Sequence, residues 1–171
     1  QFGWHRDNTI GSTPQPNQWH SDWLEFWREQ RLGFQLKLAG RHGASRSMLN
    51  KGEQLQDELE AFFVDYQPQV SLLHGHLSSG NYSITSNDET VIFDPAVYYC
   101  DREPDIAISE LIGGFGQEFY SDYNNTRPLD DGYKIRKTLY NLYHIINHFN
   151  LFGGGYASQA EGMIDRLLAE L

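Results

Sequence analysis

The stretch LLHGHLSSGNYSITSNDETVIFDP, which covers residues 72–95, decides the fold of this chain. Within it, four residues separate His76 from Asn81. Two short segments of strand-forming residues follow, with polar, turn-forming residues between them. The pattern predicts a polar loop that leads into a small β-hairpin over 82–93 and ends at Asp94.

The catalytic loop of protein kinases has the same spacing. That loop holds a carboxylate beside the substrate hydroxyl and an Asn whose side-chain oxygen binds a metal ion, and a hairpin then returns a metal-binding Asp. Asn81 and Asp94 match the two metal-binding positions. His76 stands where the carboxylate base belongs, so it is the candidate catalytic residue.

Over nearly all of its length the chain resembles the C-terminal lobe of the fructosamine/ketosamine-3-kinase family, in the aminoglycoside-phosphotransferase-like branch of the kinase fold. The motifs that carry this resemblance are Phe2-Gly3-Trp4, Asp7-Asn8, Ile10-Gly11, Trp19–Trp23, Leu73–Gly75, Ser79–Asn81, Phe93–Ala96, Tyr98-Tyr99, Asp101–Glu103, Glu110-Leu111 and Gly113–Phe115.

The resemblance implies a mainly α-helical fold with one small β-hairpin. It also implies ATP-dependent phosphorylation of the C3 hydroxyl of ketosamines, with ATP and Mg²⁺ as cofactors and a small ketosamine or a glycated protein as the substrate. By the same resemblance Asn81 and Asp94 would hold Mg²⁺. Asp105 would open the following helix and brace the loop, in which His74 is a structural residue.

The resemblance further implies that the N-terminal segment around Asn8 and Gln15 borders the sugar-amine site. Residues 1–20 are rich in Gly, Pro and Asn with aromatic rings interleaved, and they are predicted to be a long ordered loop. The rest of the single predicted domain consists of helices over 21–66, the catalytic loop and hairpin over 70–95, and helices over 103–171.

The chain departs from the family pattern H-G-D-L-W-x-G-N, since His76 replaces the Asp and Ser78 the Trp, and Cys100 replaces a family Gly. No G-x-G-x-x-G phosphate loop occurs, and the N-terminal lobe that would carry it is expected to be absent. Loss of a well-placed base costs on the order of 10²–10⁴-fold in rate. We therefore expect this chain alone to be inactive or nearly so.

Other interpretations remain open. One alternative is that the chain is a pseudokinase-like binding or scaffold module, with a protein partner on the face that the missing N-terminal lobe leaves exposed. Asn81 and Asp94 would then cap the loop and hairpin. Another alternative is a transition-metal site formed by His74, His76 and Asp94.

Several finer expectations concern the helices. Capping boxes predict helix starts at Asp22 and Ser158, and apolar periodicity predicts helices over 52–65, 104–112 and 130–149. Trp23, Phe26 and Trp27 would belong to the core. His144 and His148 lie one helical turn apart, and an exposed polar face accounts for them better than a metal site.

Composition limits the partners. The chain has 171 residues, 13 Lys and Arg against 23 Asp and Glu, and a net charge of −10, which argues against nucleic acid and anionic membranes. No apolar run is long enough to cross a bilayer. The one cysteine, Cys100, is expected to be an inert packed thiol in a reducing, cytoplasmic setting.

Overall fold

The computed structural model describes residues 1–171 as mainly helical. A π-helical segment, Trp27–Gly33, joins the first two α-helices, and short 3₁₀ turns occur at Leu59–Phe63 and Ser79–Asn81. The α-helices are α1 (Trp23–Phe26), α2 (Phe34–Arg41), α3 (Arg46–Asp57), α4 (Glu103–Leu111), α5 (Gln117–Thr126), α6 (Tyr133–Phe152) and α7 (Tyr156–Leu168).

Six short strands form three separate antiparallel pairs. The pairs are β1 (Asn8–Ile10) with β2 (Thr13–Gln15), β3 (Ser71–Leu73) with β6 (Tyr98–Cys100), and β4 (Tyr82–Ile84) with β5 (Thr90–Ile92). Gly3 exchanges two backbone hydrogen bonds with Tyr99, at 2.9 and 2.8 Å. The segment that precedes β1 is therefore tied to β6.

Helix α6 is the centre of the core, and α2, α4 and α7 all pack against it. Leu139, Leu142 and Ile146 on this helix are completely buried. The aromatic stripe of α1 reaches the same core, since the Trp27 ring meets the Tyr140 ring edge-on at 5.0 Å between centroids. The prediction that this stripe is core is confirmed, with Trp23, Phe26 and Trp27 all buried.

Ionic contacts hold the start of α4. The carboxylate of Glu103 is fully buried and receives hydrogen bonds from Arg136 at 2.8 and 2.9 Å. Asp101 next to it accepts hydrogen bonds from Tyr66 Oη at 2.8 Å and Tyr140 Oη at 2.6 Å. Because a buried charge is tolerated only when it is paired, this cluster fixes the position of α4 beneath the catalytic loop.

Several local predictions are confirmed. The chain is mainly helical, with the predicted hairpin at β4–β5. Asp22 caps α1, because its Oδ1 accepts a hydrogen bond from Glu25 N at 2.8 Å. The sequence predicted one hairpin, but the structure has a second one. This hairpin, β1–β2, lies within the segment 1–20 that was predicted to be a loop. Its strands have three residues each, too few for a period of two to stand out.

Some boundaries were wrong. Ser45 caps a helix that starts at Arg46, six residues before the predicted start at 52. Ser158 lies inside α7, because the left-handed Gly153 and Gly154 already reverse the chain and the helix begins at Tyr156. Helix α5 was not predicted; none of its residues is fully buried, and only Tyr120 and Tyr123 pack against the core.

The prediction of an exposed face for His144 was also wrong. Every residue from Leu139 to Asn147 is buried, so this part of α6 has no solvent-facing side. Burial lowers the pKa of His144 well below its ordinary value, and the charges of His76 and His148 lower it further. No helix is long and apolar enough to span a membrane.

Candidate active site

The catalytic loop and the hairpin bring His76, Asn81 and Asp94 together. His76 Nδ1 lies 3.2 Å from Asp94 Oδ2. Asn81 Nδ2 donates a hydrogen bond of 2.8 Å to the carbonyl oxygen of His76. The three residues that the sequence spacing singled out therefore share one small region at the open end of the β4–β5 hairpin.

The register of the hairpin produces this proximity. Tyr82 pairs with Ile92, and Phe93 N donates a hydrogen bond of 3.0 Å to Asn81 O, so the residue after Phe93 returns to the loop. Asp94 has φ of +55°, a left-handed conformation that Asp tolerates better than most residues. Such backbone conformations cost free energy and concentrate at functional sites. This turn directs the exposed carboxylate of Asp94 toward His76.

His74 braces the two ends of the loop. Its Nε2 lies 3.0 Å from Phe93 O, and its Nδ1 accepts a hydrogen bond of 3.3 Å from His76 N. Since a carbonyl only accepts, the proton of the neutral ring belongs on Nε2. Both ring nitrogens are thus used inside the loop, and no three His, Cys, Asp or Glu side chains are arranged to hold a metal ion. The alternative of a His74, His76 and Asp94 metal site was wrong for this reason.

Asp105 lies beneath the loop at the start of α4. Its two oxygens accept hydrogen bonds from His74 N and Gly75 N, both at 2.8 Å. Burial raises the pKa of the Asp105 carboxyl, and the two backbone donors oppose that shift. Gly75 has φ of +79°, and a Cβ there would lie 2.0 Å from Ala96 O, so only glycine fits.

Asn8 and Gln15 contact the chain directly after the hairpin. Asn8 Nδ2 donates to Val97 O at 2.8 Å, and Gln15 Nε2 donates to Ala96 O at 3.1 Å. Gln15 is buried, and its Oε1 accepts from Tyr143 Oη at 2.7 Å. The structure gives these amides internal partners, so they hold the segment that follows Asp94. Their place at the border of a sugar-amine site stays a prediction.

Sequence reasoning missed Arg31 and Asn17. Arg31 is fully buried without a carboxylate partner: its guanidinium donates to Asn17 Oδ1 at 2.7 Å and to Pro16 O at 2.6 Å, and its Cζ lies 3.9 Å from the Tyr98 ring centroid. Asn17 Nδ2 in turn donates to Asn8 Oδ1 at 3.0 Å. The sequence does contain a signal for Arg31: it lies four residues after Trp27, on the same side of the helix as the apolar stripe.

Two family departures are buried. Ser78 O accepts a hydrogen bond from Asn81 N at 3.0 Å, and the residue has almost no exposed surface. Cys100 is completely buried, and burial raises the pKa of its thiol well above the ordinary value. The prediction that Cys100 is packed is confirmed, and a thiol in this state is a poor nucleophile.

Four apolar residues on the strands next to the loop, or directly before Asp94, are strongly exposed. Leu72 on β3, Ile84 on β4 and Ile92 on β5 each expose more than half of their surface, and Phe93 nearly half. We call these four residues the apolar row.

Comparison with known proteins gives a consistent result. The family model for fructosamine kinase matches residues 1–170. "Probable ketoamine kinase" of Synechocystis sp. is 49% identical over 168 residues, covering 98% of this chain and 56% of that protein. The chloroplastic protein-ribulosamine 3-kinase of Arabidopsis thaliana is 47% identical over 170 residues, covering 99% of this chain and 52% of that protein.

A solved structure agrees with the fold. The crystal structure of a Thermobifida fusca protein assigned as a fructosamine-3-kinase superposes with a TM-score of 0.88 at 30% identity, covering 98% of this chain and 58% of that one. The chain therefore spans about half the length of the relatives it matches. The family resemblance inferred from the sequence motifs is confirmed: this chain belongs to the fructosamine kinase family.

Proposed function

We propose that this chain forms the catalytic-loop lobe, corresponding to the C-terminal lobe, of an ATP-dependent kinase that phosphorylates ketosamines. The observation that carries the proposal is the convergence of His76, Asn81 and Asp94 at the end of one hairpin, with 3.2 Å between His76 Nδ1 and Asp94 Oδ2. The names of the relatives, ketoamine kinase and ribulosamine 3-kinase, support the substrate class.

The donor set fits a divalent cation. The Asp94 carboxylate is 61% exposed, and only its Oδ2 has a partner in the chain. Asn81 uses its Nδ2 for the loop and leaves Oδ1 without a hydrogen bond. Carboxylate and amide oxygens are the ligands that Mg²⁺ prefers, and Mg²⁺ bound there would neutralise charge on the phosphates of ATP.

The reaction would transfer the γ-phosphoryl group to a sugar hydroxyl. An O–P bond forms at the C3 oxygen, the bond between the γ-phosphorus and the β-phosphate oxygen breaks, ADP leaves, and the hydroxyl proton passes to a base. His76 would face that hydroxyl. Asn8 and Gln15 would act by holding residues 96–97, which follow the metal-binding Asp94.

We propose that His76 makes the chain a weak catalyst. An imidazole brings no negative charge to the metal and the attacking hydroxyl, and a lost base typically costs on the order of 10²–10⁴-fold. The part of the relatives that the chain does not span would supply further nucleotide contacts. We propose a cytoplasmic location, because the single cysteine cannot form a disulfide within the chain and free thiols are typical of reducing compartments.

Calorimetric titration of Mg·ATP into the 171-residue chain tests the proposal. We expect saturable binding that requires Mg²⁺ and that Asp94→Asn abolishes. Asp88→Asn is the matched control, because Asp88 also has a left-handed backbone but lies in the turn of the hairpin. Absence of binding at millimolar nucleotide in both the native chain and His76→Asp would contradict the proposal.

Transfer is tested in a chimera that adds the unmatched part of the Synechocystis relative to this chain. With a ketosamine and ATP, we expect His76→Asp to raise the rate by about 10²-fold or more. An unchanged rate would contradict the role of position 76.

The second candidate is a non-catalytic binding or scaffold module. The apolar row favours it, since contiguous exposed apolar surface marks an interaction site and Ile84 and Ile92 lie together on one hairpin. The titration separates the two candidates, because a scaffold binds no Mg·ATP whatever stands at position 76.

A further inference from the structure

A cavity of about 400 Å³ lies between α6 and α7, next to the end of α4. Its wall includes Thr138 and Asn141 of α6, Ser158 and Arg166 of α7, and Leu111 of α4. None of the residues that line it belongs to the catalytic loop or to the β4–β5 hairpin. The cavity therefore shares no residue with the site of the proposed function, and its volume is within the range of small-molecule sites.

Asn141 is the polar group in this wall that folding leaves without a partner. Only 6% of the residue is exposed. Its Oδ1 is buried with no hydrogen-bond partner, and no side-chain hydrogen bond within the chain uses its Nδ2. Burying an amide in this state costs free energy, because the hydrogen bonds to water are lost and not replaced. A ligand in the cavity that accepts from Nδ2 would recover part of that cost.

The charges in the wall indicate that the ligand is an anion. The chain as a whole has a net charge of −10, but the lining of the cavity contains Lys137 and Arg166 and no Asp or Glu. Lys137 is paired with Glu110, whereas the exposed Arg166 has no carboxylate partner in the chain. Arg166 therefore supplies a positive charge that the fold does not compensate.

The rest of the wall narrows the class of anion. Thr138, Ser158 and Gln159 offer hydroxyl and amide groups, and only Leu111 and Met163 are apolar. Such a lining suits the hydroxyl groups of a sugar better than the flat apolar faces of a nucleotide base. An arginine guanidinium matches the geometry of phosphate oxygens, which accept several hydrogen bonds at once.

We propose that this cavity binds the phosphate monoester of a sugar. Arg166 would pair with the phosphate, Asn141 Nδ2 would donate a hydrogen bond to it, and the hydroxyl side chains of the wall would contact the sugar. The inference does not depend on the proposed function, because the catalytic loop contributes nothing to this cavity.

Calorimetric titration of fructose 6-phosphate into the 171-residue chain, without nucleotide or metal, tests the inference. We expect saturable binding, weaker binding of inorganic phosphate and no binding of fructose. Arg166→Gln and Asn141→Leu should each weaken fructose 6-phosphate binding by about tenfold or more, since each removes a donor to an ionised group. Arg41→Gln is the matched control: it removes an exposed arginine at the end of α2 and should leave the affinity unchanged.

Asn141→Leu also separates a ligand-binding amide from a structural one. Because Oδ1 has no partner to lose, this variant should unfold at the same urea concentration as the native chain or at a higher one. Native affinity for fructose 6-phosphate in Asn141→Leu would mean that the amide contacts only water, and would refute the inference. A clear loss of stability would also refute it, by assigning the amide to the fold.

A variant of the catalytic loop shows where the sugar phosphate binds. Asp94→Asn, which should abolish Mg·ATP binding, should leave fructose 6-phosphate binding unchanged, and Arg166→Gln should show the reverse pattern. If Asp94→Asn weakens fructose 6-phosphate binding as much as Arg166→Gln does, the ligand binds at the loop and the inference fails while the proposed function stands. Absence of binding at millimolar fructose 6-phosphate, or equal affinities for it and for inorganic phosphate, would equally overturn the inference.

Discussion

Two regions of this molecule contain the same three residue types, Asp, Asn and His, in opposite states. The buried set consists of Asp101, Asn17 and His144, and the loop set consists of Asp94, Asn81 and His76. In the buried set the Asp and Asn side chains use their polar atoms inside the fold. In the loop set, three polar atoms have no partner in the chain: one oxygen of the Asp, the side-chain oxygen of the Asn and one ring nitrogen of the His.

The two aspartates show the difference most clearly. Asp101 is fully buried and accepts hydrogen bonds from Tyr66 and Tyr140. Asp94 is largely exposed and contacts only His76. Residue type therefore does not separate a structural polar group from a functional one in this chain. What separates them is whether folding has already used their hydrogen-bonding capacity.

Removing the Asp101 carboxylate should have the largest effect on stability. Asp101→Ala leaves the buried hydroxyl of Tyr140 and the half-buried hydroxyl of Tyr66 without an acceptor, and at about 1–3 kcal/mol for each unsatisfied group we expect a loss of about 4 kcal/mol. The matched variant, Asp94→Asn, keeps a side chain that tolerates the left-handed backbone, so it should change the free energy of unfolding by less than about 0.5 kcal/mol. Urea unfolding of both variants measures the difference, and equal losses would contradict the contrast between the two regions.

Removing the two asparagine side chains should change stability in the same order, with a smaller difference between the two variants. Asn17→Ala removes an acceptor from the buried guanidinium of Arg31, and we expect a loss of about 2–3 kcal/mol. Asn81→Ala loses one partly buried hydrogen bond, at a cost of about 1 kcal/mol, but should abolish binding of divalent ions. Urea unfolding and metal titration on the same samples check both parts. A metal-binding defect in folded Asn17→Ala would argue against the division.

His144 should make stability depend on pH. Burial holds its pKa well below the ordinary value of 6.5, so below that pH the unfolded chain binds a proton that the folded chain does not. The contribution is fully present above pH 6.5 and falls by about 1.4 kcal/mol for each pH unit below it. His144→Gln removes this dependence, so the stability of the native chain relative to the variant should fall from pH 6.5 to 5. Parallel profiles would refute the effect.

The sequence predicted the loop well because its signals are local. The spacing from His76 to Asn81 and the turn-forming residues before Asp94 act over a few residues, and the structure brings all three together. The cap at Asp22 is equally local, since it concerns the first turn of one helix. Such features need no knowledge of the rest of the fold.

The missed features depend on distant contacts. Strands β1 and β2 are held by Ala96 and Val97, some eighty residues further along the chain. The partners of buried Arg31 include Pro16, Asn17 and the Tyr98 ring, which all lie outside its own helical segment. His144 is buried because α6 is covered on every side between Leu139 and Asn147, and periodicity within one helix contains no information about its neighbours.

The apolar row should show the smallest effect of all on stability. Ile84 and Ile92 lie on the β4–β5 hairpin with more than half of their surface exposed, so Ile84→Thr with Ile92→Thr buries no polar group and keeps the β-branched shape that strands favour. We expect a change below about 0.5 kcal/mol in urea unfolding, together with less self-association in light scattering. A loss above about 1 kcal/mol would mean that the row packs within this chain. Unchanged stability with reduced association would instead show an apolar surface that the fold of these 171 residues does not use. The N-terminal hairpin differs in this respect, because its residues Ile10 and Gln15 are already buried within the fold.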